Sequence, residues 1–176
     1  PVTYYKSVEQ LPPFDDYNMK GRTYRYFSDE PLYPFGYGLS YTTFTYSNFQ
    51  MPKSLNAGDS LKLSVTVTNS GKRSGDEVVQ LYLKDVKAST PRPIHQLEGF
   101  ERVHLNPGES KTIAFTLSPR QFSMINKKSQ RVIEPGLFTI AIGGEQPGFK
   151  GALHANTTQV LTKSIAVKGK LVLKDL

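Results

Sequence analysis

Leu61-Lys62-Leu63-Ser64-Val65-Thr66-Val67-Thr68 is the stretch on which the fold turns. Apolar and polar residues alternate without a break, and successive side chains of an extended chain leave opposite faces, so one face is apolar and the other polar. That is the signature of a half-buried strand rather than a helix. Asn69-Ser70-Gly71 and Ser74-Gly75 follow as turn chemistry. The same period recurs over 42–50, over 77–85 (Val79, Leu81, Leu83), over 97–105 (Leu97, Val103, Leu105) and over 110–117 (Ile113, Phe115, Leu117). It returns over 130–134, 136–143 (Phe138, Ile140, Ile142) and 159–168, so eight short strands are predicted.

Asn106-Pro107-Gly108 and Glu134-Pro135-Gly136 punctuate these runs. Proline presets φ at the first corner of a turn and glycine accepts the positive φ of the next, which folds the chain back and implies antiparallel pairing. Ser118 to Asn126 alone reads as a helical turn, with Ser118 as N-cap and Phe122 and Ile125 three apart. Many short strands with almost no helix define an all-β chain, an immunoglobulin or fibronectin type III-like β-sandwich. A closed barrel is the alternative, and no internal repeat supports a propeller or solenoid.

The segment before the strands is different. Of 20 aromatic residues, 13 lie between Tyr4 and Tyr46, while Pro12, Pro13, Pro31 and Pro34 interrupt any regular period before residue 40. Rings that cannot build their own regular structure must bury against something, either the following domain or a neighbour outside this sequence. The expected organisation is therefore an irregular aromatic strap over 1–40 and a sandwich over 41–176.

Length and composition fit one domain core: 176 residues, 38% hydrophobic and 21% charged. No apolar run reaches the ~20 residues of a membrane helix. The net charge of +7 comes from scattered lysines and arginines, paired at most as in Lys72-Arg73 and Lys127-Lys128. This reads as a solvated basic surface, so neither nucleic acid nor membrane is expected as a partner. With no cysteine there is no disulfide framework and no thiolate. The chain starts at Pro1 with no leader pattern and reads as a piece of a longer protein.

Catalytic chemistry is hard to find. Hydrolysis of a glycosidic bond needs two carboxyl groups roughly 5 to 9.5 Å apart across it, and the adjacent Asp15 and Asp16 point in opposite directions on an extended backbone. A polar turn after Pro12-Pro13-Phe14 is the better reading. His95, His104 and His154 are in no metal-binding frame, Gly36-Tyr37-Gly38 lacks the rest of a phosphate loop, and there is no serine elbow. No cofactor and no metal are expected. Asn156-Thr157-Thr158 has the acceptor pattern for N-glycosylation. Tyr82 reads first as a strand tyrosine that packs its ring and hydrogen-bonds its hydroxyl, and second as a platform for a sugar ring. Lys62, Lys84 and Lys163 read as solvent-face residues that discourage edge pairing.

Pro31-Leu-Tyr-Pro-Phe-Gly-Tyr-Gly-Leu-Ser-Tyr-Thr-Thr-Phe44 resembles the segment that joins the catalytic domains of glycoside hydrolase family 3 to their C-terminal fibronectin type III-like domain. Val65-Thr-Val-Thr-Asn-Ser-Gly71, Gly75-Asp-Glu-Val-Val-Gln-Leu-Tyr82, Leu97-Glu-Gly-Phe-Glu-Arg-Val103, Leu105-Asn-Pro-Gly-Glu109 and Phe115-Thr-Leu117 follow in the family's order, so the resemblance covers about residues 11 to 145. Upstream, Pro13-Phe-Asp-Asp-Tyr-Asn-Met-Lys-Gly-Arg-Thr-Tyr-Arg-Tyr-Phe27 is similar to the end of the family's second domain, and its Gly-Arg-Thr-Tyr-Arg wording resembles the β-xylosidase branch more than β-glucosidases.

The resemblance implies retaining hydrolysis of β-linked sugars by an intact enzyme whose aspartate nucleophile and acid/base lie in preceding domains. No catalytic residue carries over to this chain, and Asp15 and Asp16 do not occupy the nucleophile motif. The expected function is a stabilising accessory module of a β-xylosidase or β-glucosidase, with a carbohydrate-binding module and a surface adhesion sandwich as alternatives. Its partners would be the catalytic domains of the same polypeptide and a plant-type polysaccharide or oligosaccharide. Arg22, Tyr24, Arg25 and Tyr26 would lie nearest the substrate domain, and a periplasmic or secreted location is preferred to a cytoplasmic one.

Overall fold

The computed structural model describes residues 2–151 and 157–174. Among these described residues eleven strands follow in chain order: β1 (Phe44–Gln50), β2 (Ser54–Asn56), β3 (Leu61–Asn69), β4 (Gly75–Asp85), β5 (Gln96–Leu105), β6 (Ser110–Leu117), β7 (Met124–Ile125), β8 (Arg131–Ile133), β9 (Gly136–Gly143), β10 (Val160–Lys168) and β11 (Leu171–Val172). One sheet runs β1-β3-β6 and a second β2-β10-β9-β4-β5, with a small third sheet of β11-β8-β7. All pairs are antiparallel except β2 with β10. The two larger sheets enclose the core, and the chain is an all-β sandwich of the immunoglobulin and fibronectin type III type.

The alternation in β3 is the reason the sheets meet where they do. Leu61, Leu63, Val65 and Val67 are buried while Lys62, Ser64, Thr66 and Thr68 are not. Leu61 stands opposite Leu117 and Val65 opposite Ile113 on β6, so the register presents one continuous apolar face. Val79, Leu81 and Leu83 of β4 and Phe138, Ile140 and Ile142 of β9 close it from the other sheet.

β4 departs from simple alternation. Its residues Val79 to Leu83 are all buried, including Gln80 and Tyr82, whose side chains belong to the other face of the sheet. Ala141 on β9 joins that second face, and the residues that cover it come from the N-terminal strap: Tyr24 and Phe35 pack there. The sheet is thus sandwiched twice.

Where the sequence reading and the structure differ, local hydrogen bonding explains it. Ser118 to Asn126 is a short 3-10 turn, Pro119–Phe122, followed by β7, because Gln121 Oε1 accepts from the Ser118 N–H at 2.7 Å and Phe122 then turns into the core against Phe138. β2, β7 and β11 are two or three residues long, too short for a periodic signal. The lysines guard no common edge: Lys62 lies on the middle strand of its sheet and Lys84 on β4, between β9 and β5. Lys163 donates from Nζ to the Phe49 carbonyl oxygen and sits 5.4 Å from that ring.

Asn69, fully buried at the end of β3, ties the sheets at the turn. Its Nδ2 donates to Arg73 O at 2.8 Å and Leu105 O at 2.9 Å, and its Oδ1 accepts from Thr42 Oγ1 at 2.7 Å and Gly71 N at 3.1 Å. Both amide donors and both lone pairs are in use. Asn69→Asp would face two carbonyl oxygens with an acceptor, and a destabilisation of about 2–4 kcal/mol is expected in urea unfolding. A loss under about 0.5 kcal/mol, the range of ordinary surface changes, would contradict this role for Asn69.

Candidate functional site

The aromatic strap is the part of the molecule that is not explained by a sandwich. A single helical turn, α1 (Thr23–Tyr26), carries Tyr24 onto the outer face of the five-stranded sheet. The Tyr24 ring stacks on Phe35 with centroids 4.0 Å apart and meets Tyr82 edge-on at 6.3 Å. Its hydroxyl accepts the Leu97 N–H at 3.1 Å. That N–H lies beside a bulge: Leu81 pairs with Gly99 and Tyr82 with Leu97, leaving Glu98 without a cross-strand partner.

Two glutamines hold the strap down. Gln146 donates from Nε2 to Tyr24 O at 3.2 Å, accepts Phe35 N–H on Oε1 at 3.2 Å, and donates its own backbone N–H to Phe35 O at 2.9 Å. Gln80 Nε2 donates to Gly144 O at 2.7 Å and Gly36 O at 3.3 Å, and its Oε1 accepts the Tyr82 hydroxyl at 2.5 Å. The Arg25 carbonyl accepts Ile94 N–H at 2.6 Å. Glu30 Oε1 accepts the backbone N–H groups of Lys150 and Gly151 at 3.0 and 2.6 Å.

Beside these contacts the strap forms an open groove of about 750 Å³, lined by Tyr4, Tyr33, Phe35, Tyr37, Leu39 and Phe149 among others. Among the described residues none that lines it is acidic, basic or a histidine, and these residues offer apolar and aromatic contact without an acid/base pair. Phe14, Tyr17, Leu39 and Tyr41 stand outside the packing altogether, with exposures of 98, 91, 76 and 92%.

Of the residues singled out from sequence, Tyr24 is buried in the stack. Arg22 ties the preceding loop, with Nε donating to Asn18 O at 3.0 Å and Nη2 to Pro13 O at 3.1 Å. Arg25 lies over the Tyr24 ring at 5.8 Å, and Tyr26 is half-buried with its carbonyl accepting Gly21 N–H at 3.0 Å. Asp16 is part of a polar turn, accepting Asn18 N–H at 2.9 Å, and these bonds hold its carboxyl below the usual range. Tyr82 is completely buried and therefore presents no platform to a sugar.

His104 Nδ1 pairs with Asp76 Oδ1 at 2.5 Å across β4 and β5, beside Arg102, as a surface cluster. His154 and the sequon residue Asn156 lie outside the described residues. Among the described residues no three His, Asp or Glu side chains come together as a metal site.

Sequence reasoning missed Gln80 and Glu77, since a buried polar residue in a strand looks like a solvent-facing one, and Gln146, which lies beyond the end of β9 where no period marks burial. Glu77 is 7% exposed; its Oε1 accepts Val78 N–H at 3.0 Å, with the Thr158 and Tyr46 hydroxyls facing it. Gly144 must lack a side chain here, because a Cβ would lie 2.6 Å from Glu77 Oε1.

Comparison with known proteins places this geometry. The profile of the fibronectin type III-like domain matches residues 77–146. A β-xylosidase of Formosa agariphila is 43% identical over 144 residues, 81% of this chain and 19% of that protein. A periplasmic β-glucosidase of Salmonella typhimurium is 42% identical over 156 residues, 81% of this chain and 20% of that protein. The solved structure of a β-glucosidase from Erythrobacter marinus superposes with a TM-score of 0.75 at 38% identity, covering 95% of this chain and 21% of that one. The chain therefore carries a fibronectin type III-like domain together with the aromatic segment ahead of it. It belongs with the corresponding portion of glycoside hydrolase family 3 β-glucosidases and β-xylosidases, and it spans about a fifth of the length of these relatives.

Gly36 is the tightest point of the strap: it has φ +80°, and a Cβ there would lie 2.1 Å from Gln80 Oε1. Gly36→Ala is expected to cost about 2 kcal/mol and to accelerate tryptic cleavage at Lys20, Arg22 and Arg25; unchanged cleavage would show that the strap is not held by this contact.

The buried acid makes stability depend on pH. Burial pushes the Glu77 carboxyl from its usual 4.5 up to about 7, with a small contribution from the Glu145 charge. The folded protein holds this proton where the unfolded chain has lost it, so the stabilisation is complete below about pH 4.5 and is lost as pH rises towards 7. His95, pushed from 6.5 down to about 4 by burial and then by Lys84, acts in the opposite sense, losing stability as pH falls from 6.5 to 4. The Tm gain of Glu77→Gln over wild type is therefore expected to grow between pH 5 and pH 8, and a constant difference would refute the assignment.

Proposed function

We propose that this chain is the accessory module of a retaining family 3 β-glycosidase and has no hydrolytic activity of its own. The observation that carries this reading is the two-sided strap. One set of rings, Tyr24, Phe27 and Phe35, packs inward, and a second set, Phe14, Tyr17 and Tyr41, remains in solvent on a chain one-fifth the length of its relatives. Large exposed aromatic side chains grouped on one segment are the mark of a surface that meets another.

In this reading residues 1–40 are the strap and the end of the preceding domain, and 41–176 are the sandwich that positions them. Arg22, Tyr24, Arg25 and Tyr26 are the module's residues nearest the substrate-bearing domains: Arg22 fixes the loop that presents Phe14 and Tyr17, and Tyr24 fixes that loop to the sheet. The hydrolytic carboxylates belong to the catalytic domains of the same polypeptide.

Assay of the purified chain on aryl β-xyloside and aryl β-glucoside should give no turnover above buffer, and affinity electrophoresis in xylan or cellulose gels should give no retardation. Turnover that co-purifies with the chain would overturn the accessory role. Retardation would favour a carbohydrate-binding module working through the aromatic groove.

A further inference from the structure

The strap covers only part of the outer face of the five-stranded sheet. Tyr24 and Phe35 lie over Tyr82 and Ala141, and Gly36 crosses Gln80, whose Nε2 donates to the Gly36 carbonyl oxygen at 3.3 Å. Side chains two residues apart on a strand share a face, so Val78 and Asp76 continue this face along β4. Phe100, Arg102 and His104 of β5 stand opposite Gln80, Val78 and Asp76 and carry it to the edge of the sheet. Here the cover stops: Phe100 is 69% exposed and Val78 38%.

The end of the strap adds to this patch instead of hiding it. Leu39 and Tyr41, both largely exposed, border a hollow of about 580 Å³ together with Val78, Asp76, Arg102 and His104. The charged groups of the hollow answer one another. Arg102 Nε donates to Asp76 Oδ2 at 2.9 Å, and His104 Nδ1 lies 2.5 Å from Asp76 Oδ1. The carboxylate is met on both oxygens and the arginine is already paired, so these groups do not select a small ion. What is left in water is apolar: Leu39, Tyr41, Val78 and Phe100 form one patch of four large side chains, and such patches mark contact surfaces.

Area decides what covers it. Burying an aromatic side chain removes about 150–250 Å² from water, so two rings with parts of Leu39 and Val78 amount to on the order of 500 Å². A stable complex of separate chains buries about 800 Å² on each partner, which this patch does not reach. Domains of one chain make do with contacts of about 600–1,500 Å² in all, because the covalent link already holds them at an effective concentration of roughly millimolar. About four fifths of the relatives' length lies outside the part that this chain matches, which is ample polypeptide to supply such a neighbour.

We propose that the outer face of β4 and β5 at Val78 and Phe100, with Leu39 and Tyr41 of the strap, is an interdomain contact that docks on an apolar surface of the catalytic domains of the same polypeptide. This rests on the accessory reading above and adds to it a contact made by the sheet itself, besides the loop that presents Phe14 and Tyr17.

The chain has no cysteine, so an introduced thiol reports cover directly. Phe100→Cys and Tyr41→Cys, with Lys62→Cys on the outer face of the other sheet as control, are each made in this chain and in the parent polypeptide. Each variant of the chain should keep the Tm of the unsubstituted chain, since all three positions are exposed. Maleimide labelling is then followed at each position by peptide mass spectrometry. The thiols at 41 and 100 should label about tenfold more slowly in the parent than in the chain, because a covered thiol reacts only when its cover opens, and the thiol at 62 should label alike in both. Equal rates at position 100 in the two proteins, or equal slowing at position 62, would overturn the proposal. A rate at position 100 that falls as the isolated chain is concentrated would also overturn it, by assigning the face to a second copy. Equal labelling with a chain that shows no turnover removes this contact and leaves the accessory role standing, whereas turnover by the chain alone removes that role.

Discussion

The stack of Tyr24 between Phe35 and Tyr82 is the contact on which the rest of this molecule is arranged. A sheet in a sandwich ordinarily has one dry face and one wet one. Here the outer face of β4 and β9 is dry as well, because Tyr24 and Phe35 cover it and Gln80 and Gln146 satisfy the backbone groups that the cover would otherwise strand. The buried run Ile140 to Pro147 is the visible result: eight consecutive residues leave solvent where a strand turns out of its sheet. Removing the strap would expose Tyr82 and two glutamine side chains to water at once, so strap and sandwich are energetically one body.

This arrangement accounts for the choice of small residues at the seam. Gly36 passes over Gln80 and Gly144 over Glu77 with no room for a Cβ, and Gly151 lies against the carbonyl of Leu32. Each is a place where backbone from one part of the chain approaches another part too closely for a side chain. The same seam explains the state of the acid at position 77: burial there raises its carboxyl to about 7, so below that pH it stays buried as the neutral acid, with Oε1 accepting the Val78 N–H.

Most of the fold was legible in the sequence because its determinant is local. The alternation from Leu61 to Thr68, the Pro-Gly turns at 107–108 and 135–136, and the apolar triplets of β4, β6 and β9 each report a strand or its end without reference to anything distant. The strap was legible only as an excess of rings without a period. Which rings turn inward depends on Gln146, more than 100 residues away from Tyr24 and Phe35, and no local pattern encodes that. Alternation assigns Tyr82 to the outer face of its sheet, where it takes the packing role expected of a strand tyrosine, and the cover on that face comes from outside the strand pattern. Glu98 likewise looks like an ordinary strand residue until the bulge at Leu81 and Tyr82 is seen.

Native-state hydrogen exchange measures the unity of strap and sandwich most directly. The amides of Phe35, Ile94 and Leu97, which donate to Gln146, Arg25 and Tyr24, should exchange with opening free energies within about 1 kcal/mol of the amide of Val65 in the core. If those three amides exchange through a local opening several kcal/mol below the global one while Val65 stays protected, the strap is an independent segment resting on a self-sufficient sandwich, and the two do not form one energetic body.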